Sequence, residues 1–122
     1  MTWARPVHQW LVWLFLLGVG VQFFLAGLGV IGGESIDPHK MLGSLLQLLA
    51  VLMLVSAALA KMPRPVIIMS VVLVVLMLLQ SVFVQIDSPL WLHSFHVFDA
   101  FLIAALAQHL AQRAGFPLSS RS

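Results

Sequence analysis

Four apolar stretches, each about 20 residues or longer, follow one another with only short polar breaks between them. At 1.5 Å per helical residue, each is long enough to cross a hydrocarbon core of about 30 Å. They run over residues 7–31, 39–60, 66–85 and 92–112. The breaks read "GGESIDP", "KMPRP" and "IDSPLW", rich in the Gly, Pro, Asp and Ser that end helices. Hydrocarbon leaves no water to satisfy an exposed backbone, so segments of this kind must be helices. Loops this short make successive helices antiparallel. The expected fold is all-α: an integral membrane, up-down four-helix transmembrane bundle forming a single domain over residues 1–122, with a short polar tail at 116–122.

Composition agrees and narrows the functions. Only 8% of the 122 residues are charged and 61% are hydrophobic, where a soluble domain carries about a quarter charged residues. The N-terminal "MTWARPVHQW" runs straight into an apolar stretch too long for a signal peptide, so Met1 is expected to be retained. With no cysteine there is no disulfide framework, thiolate metal site or cysteine nucleophile. Ten charged side chains, for a net charge of +2, are too few to track a phosphate backbone, which excludes nucleic acid as a partner. Arg5, Lys61, Arg64, Arg113 and Arg121 fall on one side of the topology. Glu34, Asp37 and Asp87 fall on the other, with Lys40. The positive-inside rule then places both termini in the cytoplasm of a multi-pass cell-membrane protein, with Trp3, Trp10, Trp13 and Trp91 as interfacial anchors.

The polar and small residues carry the functional signal. Gly18, Gln22, Ala26 and Gly29 share one face of the first helix, as do Ala100, Ala104, Ala107 and Ala111 on the fourth. An alanine stripe reads either as close helix contact or as room for a flat prosthetic group, and small residues alone favour contact. Asp37 is placed to cap the second helix, Pro38 is at a favoured N-terminal helical position, and His39, Gly43 and Gln47 follow at four-residue spacing on one face. The third helix reads as the most lipid-exposed, with Gln80 its one deep polar group and Met69 and Met77 as packing residues.

His39, His93 and His96 all lie in the first turns of helices entering from the same side, hence at similar depth, with Asp99 close behind. Intramembrane ionisable groups are costly and usually functional. The second and fourth helices run in the same direction, so imidazoles from the two can meet across the core and coordinate one metal from opposite sides. That is the ligand set of a six-coordinate b-type haem. His39 and His93 are the expected axial ligands, because each heads a face with small residues beneath it. Gly43, one turn below His39, leaves room for a ring bound to that imidazole. His96 is expected beside the iron ligands, Asp99 as a carboxylate orienting an imidazole, and Lys40 as a partner for a haem propionate. His8 and His109, on the other side, do not repeat this geometry, so one haem is the maximum.

The runs Gln22 to Gly29 (Q-F-F-L-A-G-L-G) and Asp37 to Gly43 (D-x-H-x-x-L-G), with Leu92 and His93 opening the fourth helix, carry a resemblance. The chain resembles a family of small four-span prokaryotic membrane proteins of unknown function. Where the family pattern continues L-H-P-x-N, this chain has Ser94 and His96. The resemblance implies the four-span fold and no activity. A looser likeness, of layout only, is to the haem-binding halves of haem A synthase, and more distantly to cytochrome b561 and other b-type membrane cytochromes. It implies haem b.

Three functions follow as expectations. One is an electron-transfer protein or subunit with a single haem near the outer face, exchanging electrons with a quinol or a redox protein. The second is an accessory subunit of a larger respiratory or photosynthetic membrane complex, packed on other subunits or on copies of itself. The third is a divalent-metal site formed by His39, His93, His96 and Asp99. Nothing in the chain resembles a nucleophile, a paired acid and base, or a phosphate loop, which points away from a stand-alone enzyme.

Overall fold

The computed structural model describes residues 2–85 and 90–119. Met1, Asp87 with the rest of residues 86–89, and Arg121 with the end of the tail lie outside the described residues. Four helices account for nearly all of the rest: α1 (Ala4–Val30), α2 (Asp37–Leu59), α3 (Arg64–Gln85) and α4 (Ser94–Ala114), with a short 3₁₀ turn at Leu90–His93 leading into α4. No strand occurs among the described residues. All four helices have the length and apolarity to cross a membrane. The chain is a multi-pass, up-down bundle, as the spacing of its apolar stretches requires.

Each helix packs on the two beside it, so α1 and α3 form one diagonal and α2 and α4 the other. The buried positions recur at three and four residues: His8, Val12, Phe15 and Val19 on α1, Leu46, Ala50, Met53 and Ala57 on α2, Val66, Ser70, Leu73 and Met77 on α3, and Ile103, Ala107, Leu110 and Ala111 on α4. That spacing is the inward stripe of a helical bundle. Ala104, Ala107 and Ala111 lie in or against this core, so the lower part of the α4 alanine stripe is a helix-packing surface. The remaining faces show Leu, Val, Ile and Phe to lipid. Gly18 marks the closest approach of α1 to α2: a Cβ there would lie 2.6 Å from Leu46 Cδ2.

Both ends of α2 and the C-terminal end of α4 are closed by specific bonds. The expectation that Asp37 caps α2 is not met, because Asp37 is already its first helical residue. Ser35 Oγ instead accepts from the Asp37 N–H at 3.1 Å, and Pro38 sits in the first turn as expected. At the other end of α2, Met62 N–H reaches Ala57 O and Lys61 N–H reaches Ala58 O, both at 3.0 Å. This is a Schellman close, with Lys61 in the left-handed position at φ 51°. Glycine is the usual residue there, since a Cβ is strained in that conformation. Lys61→Gly is therefore expected to raise the midpoint of SDS-induced unfolding, by about 0.5 kcal/mol after allowing for the greater freedom of glycine in the unfolded chain.

α4 ends at Gly115, with φ 79°. Its last carbonyls are answered from α1: Gln9 Nε2 donates to Ala114 O at 2.9 Å and Trp13 Nε1 to Gly115 O at 3.0 Å. The Trp13 ring also meets Phe116 edge to face, centroids 5.3 Å apart. Trp13 is thus more than an interfacial anchor: it joins the two ends of the chain. Both termini and the α2–α3 connection share one end of the bundle, here the terminal end. The α1–α2 and α3–α4 connections form the far end.

Candidate functional site

One group of polar side chains that the apolar stretches do not explain collects at the far end. His39, in the first turn of α2, directs Nδ1 to Gln22 O on α1 at 3.3 Å. His96, in the first turn of α4, directs Nδ1 to Gln80 O on α3 at 3.2 Å, and Gln80 Nε2 returns a bond to His96 O at 3.0 Å. A carbonyl oxygen only accepts, so in both histidines Nδ1 carries the proton. The lone pair of the neutral ring is thereby placed on Nε2, the tautomer used by most metal-bound and proton-accepting histidines. The two rings meet edge to face at a centroid separation of 6.2 Å and an interplanar angle of 74°. Sequence spacing gives the depth of these rings, and the diagonal placement of α2 and α4 brings them together.

His93, at the junction of the 3₁₀ turn and α4, is half-buried and lies near enough to act electrostatically on His96, as does His39. Asp99, one turn along α4 from His96, is only 3% exposed. Its carboxyl group interacts with the Gln80 side chain. Its Oδ2 is buried with no hydrogen-bond partner, and so is Oε1 of Gln22. Lys40 is exposed at the rim. Gln47, two turns deeper, is engaged by α3, donating to Met77 O at 3.1 Å and to Ser81 Oγ. The site is therefore a polar layer that keeps two buried acceptor oxygens without partners, on Asp99 and Gln22, and is closed below by the apolar core.

A haem between α2 and α4 would draw on the Nε2 lone pairs of two imidazoles whose Nδ1 atoms are bonded in this way. With each nitrogen about 2 Å from a shared metal, two rings on opposite sides have centroids about 6 Å apart. The macrocycle needs further room. The space left by Gly43 is used by Gln22, whose Nε2 would lie 3.1 Å from a Cβ at that position, so a flat ring against His39 requires the Gln22 amide to turn away. Among the described residues no group of three or more His, Asp or Glu side chains has metal-holding geometry, so the His39, His93, His96 and Asp99 set does not form a ready divalent-cation cage.

At the terminal end, His109 is exposed, whereas His8 is fully buried inside α1. By sequence His8 stands at the very start of the first apolar stretch, on the side away from His39 and His93. Its register with Val12, Phe15 and Val19, at intervals of four, three and four, is the signal that it faces inward.

A family model described as a family of unknown function (DUF6220) matches residues 22–86. The match takes in Gln22, His39, Gly43 and Gln80 and stops before α4. No curated protein and no solved structure matches the chain.

Proposed function

We propose that this chain, which belongs to the DUF6220 family of unknown function, is a small cytochrome-like membrane protein of the prokaryotic cell membrane. One b-type haem is held between His39 of α2 and a histidine of α4, either His93 or His96. The observation that carries the reading is the pair of imidazoles on diagonal helices, 6.2 Å apart, each with Nδ1 committed to a backbone carbonyl. The ring of His96 is already ring-to-ring with His39, and His93 heads the same helix. A bound haem supplies one-electron transfer. The residues of the chain hold the imidazoles in one tautomer, exclude bulk water from below and leave Lys40 at the rim to meet a carboxylate. Arg5, Lys61, Arg64 and Arg113 at the terminal end favour a cytoplasmic location for both termini, so the site faces outward. There it exchanges electrons with a membrane quinol or a partner redox protein.

A second reading, an accessory subunit of a larger membrane complex, is favoured by the reciprocal bonds of Gln80 and His96. They tie α3 to α4 without any ligand.

One experiment separates the two readings: a reduced-minus-oxidised visible spectrum of the detergent-purified chain, expressed with ample haem. The cytochrome reading expects a b-type α band that is lost in His39→Ala while the protein stays monodisperse. Loss of the band in His96→Ala or in His93→Ala identifies the α4 ligand. A colourless, folded wild-type protein overturns the cytochrome reading in favour of the accessory one.

A further inference from the structure

His8 lies at the terminal end, away from the site proposed above, and its protons can be accounted for one by one. Ser56 Oγ donates its single hydrogen to Met53 O at 3.0 Å. The contact between His8 Nδ1 and Ser56 Oγ, also 3.0 Å, is therefore one in which the histidine donates. Nδ1 carries the proton and Nε2 the lone pair. Nε2 is buried without a partner, and the whole residue is 0% exposed. This is a neutral imidazole closed into the seam between α1 and α2.

The charged groups around it are all positive. On α1, Arg5 lies one turn away and acts on His8 electrostatically. On α2 the neighbouring positions are Met53, Ser56 and Ala57, none of them charged. On α3 and the connection before it, Arg64 and Lys61 are exposed, and on α4 so are His109 and Arg113. Among the described residues no carboxylate lies at this end: Glu34 and Asp37 stand at the far end, and Asp99 lies in the far half of α4. A second proton on His8 would place an N–H with no acceptor, and a positive charge with no counter-ion, inside the bundle. Both penalties are relieved if the first turns of α1 move away from α2 and admit water.

We propose that the His8–Ser56 contact is a proton-operated latch: neutral His8 holds the start of α1 against α2, and protonation from the terminal side releases it. The released segment includes Gln9 and Trp13, whose bonds to Ala114 and Gly115 hold the end of α4, so release also frees the C-terminal segment. The sign is fixed by the geometry. Packing is complete when His8 is neutral and is lost as pH falls through the histidine range.

The test is amide hydrogen exchange on the full-length protein in lipid nanodiscs at pH 8 and about pH 5.5, read as protection factors so that the intrinsic pH dependence of exchange cancels. Amides of residues 8–16 are expected to lose protection by about tenfold or more at the lower pH, while those in the middle of α3 keep theirs. His8→Phe, which keeps the ring volume, and His8→Gln, which keeps a donor for Ser56, are each expected to abolish the difference. Using both guards against one of them folding poorly. Unchanged protection in the wild type overturns the proposal, and so does an equal loss in wild type and both variants. Because the far-end site takes no part, a colourless protein leaves this prediction standing.

Discussion

Asp99→Leu is expected to make the bundle harder to unfold, by about 1–3 kcal/mol in SDS titration of the micelle-embedded protein. The carboxyl group is 3% exposed, has one oxygen without a partner, and lies inside a helix that crosses the membrane. Burial of such a group is repaid only by complete pairing, and here only the Gln80 side chain answers it. Leucine has a similar reach and fills the same core position, and although one Gln80 amide hydrogen loses its acceptor, Gln80 keeps its bond to His96 O. Replacing an incompletely paired buried polar group with a well-packed apolar side chain usually stabilises. A loss of stability in Asp99→Leu would show that the carboxylate has a structural partner and is not held against the interests of the fold. A gain marks Asp99 as a residue kept for function, since natural proteins carry such burdens mainly at working sites.

Gly18→Val is expected to have the largest destabilising effect, about 2–3 kcal/mol. The clash is with Leu46, itself 2% exposed and enclosed by the core, so it cannot swing aside into lipid. In a membrane, close packing replaces the hydrophobic drive between helices, and a forced separation of α1 from α2 forfeits contact along the whole seam. Leu46→Ala alone opens a cavity, yet it also removes the obstructing atom. In the Leu46→Ala background the cost of Gly18→Val should fall below about 1 kcal/mol, giving a clear non-additivity in a double-mutant cycle. If the two changes simply add, the close approach at Gly18 is not what sets the spacing of α1 and α2.

The spans, their number and their antiparallel order were legible because lipid imposes one rule on every stretch: the backbone must bond to itself over about 20 residues. The far-end clustering of His39, His96 and Asp99 was legible from depth alone. Which histidine of α4 turns toward His39 was not. The angular arithmetic treats residues 92–112 as one α-helix, whereas Leu90–His93 forms a 3₁₀ turn with about 120° per residue. The role of Gly43 was read from one helix. The α1 side chain that uses its space, Gln22, enters only once α1 and α2 are packed. Asp37 was read as a cap by residue type, but the chain enters α2 one residue early and Ser35 takes the first N–H. His8 was set aside because it does not repeat the geometry of the far-end histidines. Its burial depends on Ser56, which is 48 residues away.

The bonds from Gln9 and Trp13 to the end of α4 have a consequence for biosynthesis. They join α1 to α4, which is made after it, across more than 100 residues of chain. Until α4 is in the bilayer, the Gln9 amide and the Trp13 indole have no partner at the end of the bundle, and the side of α1 that they occupy stays open. A nascent chain halted after α3 therefore carries an unsealed edge, and arrival of α4 closes the bundle like a clasp.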